Sequence, residues 1–261
     1  MISQNALLEP SKPQSLPLAS VPSMSDQETR SSVDATDTEA ERELVETAPR
    51  TWSAEDLTAL CNAYWYPLYA FLRRSGRGPQ DADALIARFL SELRAGKLPP
   101  ETAALEIRSL RTFLLECGKS LLVSYDDISA LQEEEASSPT WEEESYAKES
   151  TDLEPEPLFE RRWAMSVLNH ALQVLRDEFS KSGKESSFDQ LKHLLGFGPD
   201  PEEEYQKMAA KLGIDVSTVK HQVFRLRCRW RELLLEQIAQ TLFSPSKEEI
   251  NDELMQLLGS V

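Results

Sequence analysis

The sequence predicts an all-α protein with two small helical domains joined by an acidic flexible linker, the second domain containing a helix-turn-helix. Apolar residues recur at spacings of three and four along most of the chain, and no segment has convincing strand alternation. One strongly acidic stretch interrupts this helical pattern. The expected organisation is a disordered acidic N-terminal extension at 1–50, a first helical domain at 51–125, a linker at 126–157 and a second domain at 158–261.

The N-terminal extension holds nine acids against four bases and has few aromatic residues. Such a segment cannot bury enough apolar surface to offset the entropy lost on ordering, so we expect disorder. Helical periodicity begins near Ser53, which forms a capping-box pattern with Asp56. Apolar stripes then predict three helical segments: one from Ser53 to the turn at 75–78, one from Pro79 to Leu93, and one from Glu101 to Val123.

An acidic stretch follows the first domain. Between Asp126 and Glu160, thirteen acids face a single base. The runs 133–135 and 142–144 repel themselves and three prolines break any long helix, which predicts a flexible linker. The helical pattern then resumes, and the expected helices cover about 158–181, 186–195, 202–212, 216–243 and 247–258.

Residues 205–231 concentrate positive charge, with seven Lys or Arg against one acid in a chain of net charge −17. A short helix ending at Leu212, a left-handed turn at Gly213 and a capping Asp215 before a second helix predict a helix-turn-helix, for which DNA is the expected polyanion. The first turns of the second helix would enter a major groove, and its later arginines would meet phosphates. From this pattern the predicted DNA-binding residues are Ser217, Lys220, His221, Phe224, Arg225, Arg227 and Arg229. The alternative is an amphipathic surface helix with solvated charges.

Other classes of function find little support. The three cysteines and three histidines are scattered, so the sequence predicts no catalytic group, metal site, cofactor or small-molecule substrate, and we expect a protein that is not an enzyme. No apolar run approaches 18 residues, and the N-terminus lacks the pattern of a secretory signal. We therefore expect a cytoplasmic protein without a membrane partner.

Four strings carry a resemblance to a known family: CNAYWYPLYA at 61–70, FERRWA at 159–164, IAQTL at 238–242 and NDELMQLL at 251–258. With two helical domains and a helix-turn-helix in the second, the chain resembles bacterial extracytoplasmic-function (ECF) RNA polymerase sigma factors. The strings are similar to the branch of that family with a Trp-rich N-terminal helix. The resemblance covers roughly residues 51–124 and 158–261.

The resemblance implies that the first domain binds core RNA polymerase and opens the promoter −10 element, while the second reads the −35 element of promoter DNA. By position, the −35 contacts fall to Ser217, Thr218, Lys220, His221, Phe224 and Arg225, and 205–212 is the supporting helix. Asp81 and Asp83 are the implied polymerase-binding residues, and an anti-sigma protein is a candidate partner.

The chain also departs from the family. Ala84, Ala87 and Arg88 stand where Asp, Gln and Glu are usual, which weakens attraction to a basic partner. After Ser124, an acidic segment replaces the Arg-rich stretch that holds melted DNA. Two further hypotheses stay open. One is a degenerate sigma-like regulator that binds DNA or a protein partner without opening promoters, its linker masking the basic helix. The other is a protein-binding adaptor.

Overall fold

The computed structural model describes residues 53–97, 108–125, 141–149, 152–196 and 202–261. This part of the chain is all-helical, which confirms the predicted class; it contains no strand, and a single antiparallel bridge joins Ser109 to Leu242. The predicted disorder of 1–50 lies outside the described residues. The helices are α1 Ala54–Ala63, α2 Trp65–Arg74, α3 Pro79–Arg94, α4 Leu110–Tyr125, α5 Trp141–Ala147, α6 Pro155–Lys181, α7 Glu185–Leu191, a 3-10 turn Lys192–Leu194, α8 Glu202–Leu212, α9 Val216–Thr241 and α10 Lys247–Gly259.

Packing divides the described residues into two compact units. We call residues 167–237 the central unit, and residues 53–166 with 238–261 the larger unit. The division falls inside α6 and α9, so the larger unit contains both ends of the predicted second domain together with the predicted first domain. The domain boundaries that the sequence suggests stay a prediction.

The first predicted helix of the larger unit is in fact two helices. The capping box at its start is present: Ser53 Oγ accepts from the Asp56 amide at 3.1 Å, and Asp56 accepts from the Ser53 amide at 3.0 Å. The helix breaks after Ala63 because Pro67 has no N–H to donate to the Ala63 carbonyl, and its ring would clash with that carbonyl. A new helix, α2, therefore begins at Trp65 and holds the proline in its first turn.

The core of the larger unit joins segments that are distant in sequence. Tyr64, from the first of the four family-like strings, packs against Trp163 from the second, with ring centroids 5.0 Å apart. Both side chains are almost completely buried. Arg111 on α4 lies 2.8 Å from Glu160 on α6 and 2.8 Å from Glu253 on α10, so one guanidinium connects three helices.

Part of the predicted flexible linker has a defined structure within the larger unit. Residues 141–147 form α5, and its Glu143 carboxylate accepts hydrogen bonds from Tyr69 at 2.7 Å and from Arg73 at 2.6 and 2.9 Å. The positive charge of Arg73 offsets part of the negative charge of this acidic run. The helix dipole also stabilises the run, because its acids lie in the first turn of α5. The segment 126–140 lies outside the described residues.

The central unit is built around α9. The buried residues of α9 are Val219, Val223, Leu226 and Trp230. The rest of the core of the central unit comes from α6, α7, the 3-10 turn and α8. Phe179 and Phe188 pack with centroids 5.8 Å apart, joining α6 to α7. Among the described helices of either unit, none is both long and apolar enough to cross a lipid bilayer.

Candidate nucleic-acid interface

Helices α8 and α9 are joined by a tight turn at residues 213–215. Gly213 has φ +67°, the left-handed conformation that the sequence predicts at this position. The amide of Ile214 donates to the carbonyl of Ala209 at 3.2 Å, which closes the end of α8. This turn ends α8 and sets the direction in which α9 leaves it.

Asp215 caps the start of α9, as the sequence predicts. Its carboxylate accepts from the Thr218 amide at 3.1 Å and from the hydroxyls of Ser217 and Thr218. The hydrogen bond from Ser217, followed by those from Thr218, holds the pKa of Asp215 well below its usual range. Both hydroxyl protons serve the cap, so in this arrangement Ser217 and Thr218 offer a DNA partner acceptor lone pairs rather than donors.

The two faces of α9 differ sharply. Val219, Val223 and Leu226 are at most 2% exposed and anchor the helix to the core of the central unit. The predicted groove-facing residues lie on the other side: Ser217, Lys220, His221, Phe224 and Arg225 are all exposed, and Thr218 is half-buried. The exposed face therefore leaves a ridge of mixed basic and aromatic character open to solvent.

Lys220 has a weak intramolecular partner. Its Nζ lies 2.6 Å from Glu202 and 5.8 Å from the centre of the Tyr205 ring. The Lys220 and Glu202 side chains are 46% and 55% exposed, and exposed pairs of this kind contribute about 0–1 kcal/mol. A phosphate can therefore replace Glu202 at little cost.

Arg227 and Arg229, which the sequence assigns to phosphate contacts, have strong partners within the central unit. Arg227 donates to the Leu194 carbonyl at 2.8 and 3.2 Å. Arg229 lies 2.7 Å from Glu178 on α6, 2.8 Å from Glu232 and 3.3 Å from Glu236. The hydrogen bond to Glu178 is the main reason that the pKa of Arg229 is raised. Their DNA contacts stay a prediction, and the described geometry gives both side chains a role in the fold.

The predicted polymerase-binding residues lie on α3 of the larger unit. Asp81 is half-buried and Asp83 is exposed. Partial burial raises the pKa of Asp83, and the charges of Glu142 and Glu143 on α5 add to this effect. The acidic helix α5 therefore lies close enough to α3 to add negative charge beside Asp83.

The contacts of α5 are the feature that sequence reasoning missed. Besides the bonds to Glu143, the Arg73 guanidinium lies 5.0 Å from the centre of the Tyr146 ring. Arg162 pairs with Glu149, donates to the Ser145 carbonyl at 3.1 Å and lies over the Tyr66 ring. These partners are separated by many residues in sequence, and no local pattern of the acidic run indicates them.

The described residues hold no cluster of three or more His, Cys, Asp or Glu that could bind a metal ion. Cys61 and Cys117 are buried, Cys228 is exposed on α9, and burial raises the pKa of the Cys61 thiol above its usual range.

No family model, curated protein or solved structure matches this chain.

Proposed function

We propose that this chain binds promoter −35 DNA through the exposed face of α9 and acts with core RNA polymerase as a sigma-type initiation factor. One observation carries the proposal: Lys220, His221 and Arg225 are exposed on a helix whose opposite face is fully buried. The major groove is wide enough to admit an α-helix. A helix that is anchored along one side can present its open side to the base edges there.

The first three turns of α9 carry the side chains best suited to bases. Arg225 can form two hydrogen bonds to guanine, and His221 can donate to or accept from a base edge. Lys220 is positioned one turn from Phe224 and can reach a phosphate after leaving Glu202. Arg227 and Arg229 are bound within the central unit, so we assign them mainly to positioning α9.

Charge supports DNA as the partner of the central unit. The exposed bases Lys207, Lys211, Lys220 and Arg225 lie on α8 and the first turns of α9. Each phosphate contact made by such a group lowers the slope of log affinity against log salt by about 0.9. Fewer phosphate contacts are expected than the sequence suggests, because Arg229 already faces three carboxylates.

The polymerase part of the proposal comes from the family resemblance of the larger unit. Tyr64 and Trp163, which belong to two of the resembling strings, pack directly against each other. Asp81 and Asp83 are the residues we assign to polymerase binding. Glu142 adds negative charge near Asp83, where Ala84 and Arg88 provide none, whereas the carboxylate of Glu143 is paired with Arg73.

The test combines DNA selection with polymerase binding. Duplexes are selected from a random pool with the full chain, and affinity is measured by fluorescence anisotropy. We expect Arg225→Ala to weaken binding, and Arg176→Ala, which removes an exposed arginine from α6, to leave it unchanged. The chain should also co-elute with core polymerase and direct transcription. Failure to bind core enzyme at low salt would refute the sigma-type activity.

A second candidate is a sigma-like regulator that binds DNA or a protein partner without opening promoters. Helix α5 favours it, because this acidic segment is held by Arg73 and Arg162 in the larger unit and brings carboxylates rather than phosphate-binding groups. Permanganate footprinting on a cognate promoter distinguishes the two. Reactive thymines near the start site support initiation, whereas DNA binding without them supports the regulator.

A further inference from the structure

Phe224 is an exposed aromatic side chain on the face proposed to bind DNA. In the described part of the chain, Val123, Phe224 and Met255 are the large apolar side chains that are clearly exposed, and Phe224 is 59% exposed. A single exposed apolar residue is common in proteins. The position of Phe224 is what distinguishes it, because it lies between the exposed His221 and Arg225 on α9.

The spacing puts Phe224 near the middle of this face. Ser217, His221, Phe224 and Cys228 follow each other at intervals of four, three and four residues, so they form one line along the helix. All four are exposed, whereas the neighbouring Val223 is buried. A groove that accepts His221 and Arg225 must therefore also accept the ring of Phe224.

We propose that Phe224 recognises a thymine by contact with its C5-methyl group. This inference rests on the proposed DNA binding and names the base class that one position of the site requires. The phenylalanine ring has no hydrogen-bonding group, and the thymine methyl is the apolar group that the major groove presents. Lys220, His221 and Arg225 are exposed within four positions of Phe224 and can supply polar contacts to DNA. An apolar contact from Phe224 would add a base requirement that these polar side chains do not impose.

Deoxyuridine gives a direct test, because it pairs as thymine does but lacks the methyl group. The full chain is used to select a duplex, and each thymine is then replaced singly by deoxyuridine. At one position we expect the wild-type Kd to rise about fourfold, the equivalent of about 0.8 kcal/mol for one buried methyl group. Phe224→Ala should bind more weakly than wild type and show no further loss at that position.

Three controls keep the result specific. Phe224→Leu retains an apolar side chain and should retain part of the methyl effect. Gln222→Ala alters an exposed neighbour on α9 and should keep all of it. A duplex with 5-methylcytosine at the sensitive position should bind Phe224-containing protein more tightly than one with cytosine.

The possible failures are distinguishable. If no sequence is enriched, the DNA-binding proposal fails and the thymine contact fails with it. If a sequence is enriched but no thymine is sensitive to loss of its methyl, DNA binding stands and the inference is wrong. An equal methyl effect in wild type and Phe224→Ala would show that another residue makes the contact.

Discussion

Replacing Arg229 with methionine tests whether this guanidinium serves the fold rather than DNA. Its Nη2 and Nε lie 2.7 and 3.1 Å from the carboxylate of Glu178, and its Nη1 lies 2.8 Å from Glu232 and 3.3 Å from Glu236. The Arg229 side chain is 26% exposed, so solvent screens the interaction only in part. Methionine keeps much of the apolar stem and leaves three carboxylates without their shared cation.

The magnitude follows from the bidentate pair with Glu178. Hydrogen bonds to charged groups contribute about 1.5–3 kcal/mol each, and partial exposure places this site toward the lower value. We expect Arg229→Met to reduce the free energy of unfolding by about 2 kcal/mol at neutral pH. Urea titration followed by circular dichroism measures it. Arg176→Met removes a more exposed pair with Glu185 and should cost about 1 kcal/mol or less.

The loss of unfolding free energy in Arg229→Met should depend on pH. Burial raises the pKa of Glu236 even in the wild-type protein, while Arg229 lowers it, so removal of Arg229 raises it further. A carboxyl group whose folded pKa exceeds its unfolded value binds more protons in the folded state. Acidification through that interval therefore favours folding. The stability gap between variant and wild type should narrow as the pH falls from about 7 toward about 5.

Comparing Arg229→Met with Arg225→Ala in DNA binding separates a residue that stabilises the fold from one that contacts DNA. Arg225→Ala should weaken binding to a selected duplex by about 1–3 kcal/mol and relax sequence preference, because Arg225 is exposed on the groove-facing side. Arg229→Met, measured where it is folded, should change the affinity by less than twofold, which is about 0.4 kcal/mol. The reverse ranking, with Arg229 dominant for DNA and neutral for stability, would refute the reasoning.

Three further changes test the helix contacts. Arg111→Met should reduce the free energy of unfolding by about 3 kcal/mol in urea titration, because it leaves the carboxylates of Glu160 and Glu253 without their shared cation in a mostly buried site. Glu143→Gln should speed amide hydrogen exchange in α5, because the charged hydrogen bonds to Arg73 are lost. Asp215→Ala should lower the thermal midpoint at neutral pH. The pKa of Asp215 is lowered in the folded state, so this deficit should shrink only below about pH 4.

Each of these changes has a contrasting control. Arg111→Lys keeps the charge but cannot bridge two carboxylates, so it should rescue little stability. Glu144→Gln alters an exposed acid on α5 and should leave exchange unchanged. Asp215→Asn keeps a capping oxygen and should lose less than alanine. A stable Arg111→Met protein, unchanged α5 exchange or a pH-independent Asp215→Ala deficit would each contradict the corresponding contact.

Local signals in the sequence were enough to predict some features. The capping box of Ser53 and Asp56, the left-handed Gly213 and the cap at Asp215 each depend on residues within three positions of one another. The 3.6-residue period also identifies the exposed face of α9, because burial of Val219 and Val223 determines the orientation of the helix.

Other features depend on distant partners that no local pattern contains. Glu178 reaches Arg229 from 51 positions away, so counting bases in 205–231 overestimates the charge available to DNA. The acidic run at 142–144 suggests self-repulsion, yet Arg73, 70 positions away from Glu143, pairs with it. The break between α1 and α2 was in principle readable from Pro67, whose missing N–H falls opposite Ala63.

Alkylation of Cys228 in the presence of DNA tests most directly whether the exposed face of α9 lies in a groove. Of the three cysteines, Cys61 and Cys117 are buried, and Cys228 is exposed on the same line of α9 as His221 and Phe224. The rate of reaction with N-ethylmaleimide should fall in proportion to the fraction of protein bound to a selected duplex. An unchanged rate at saturating DNA would contradict the docking of this line of α9 in a groove.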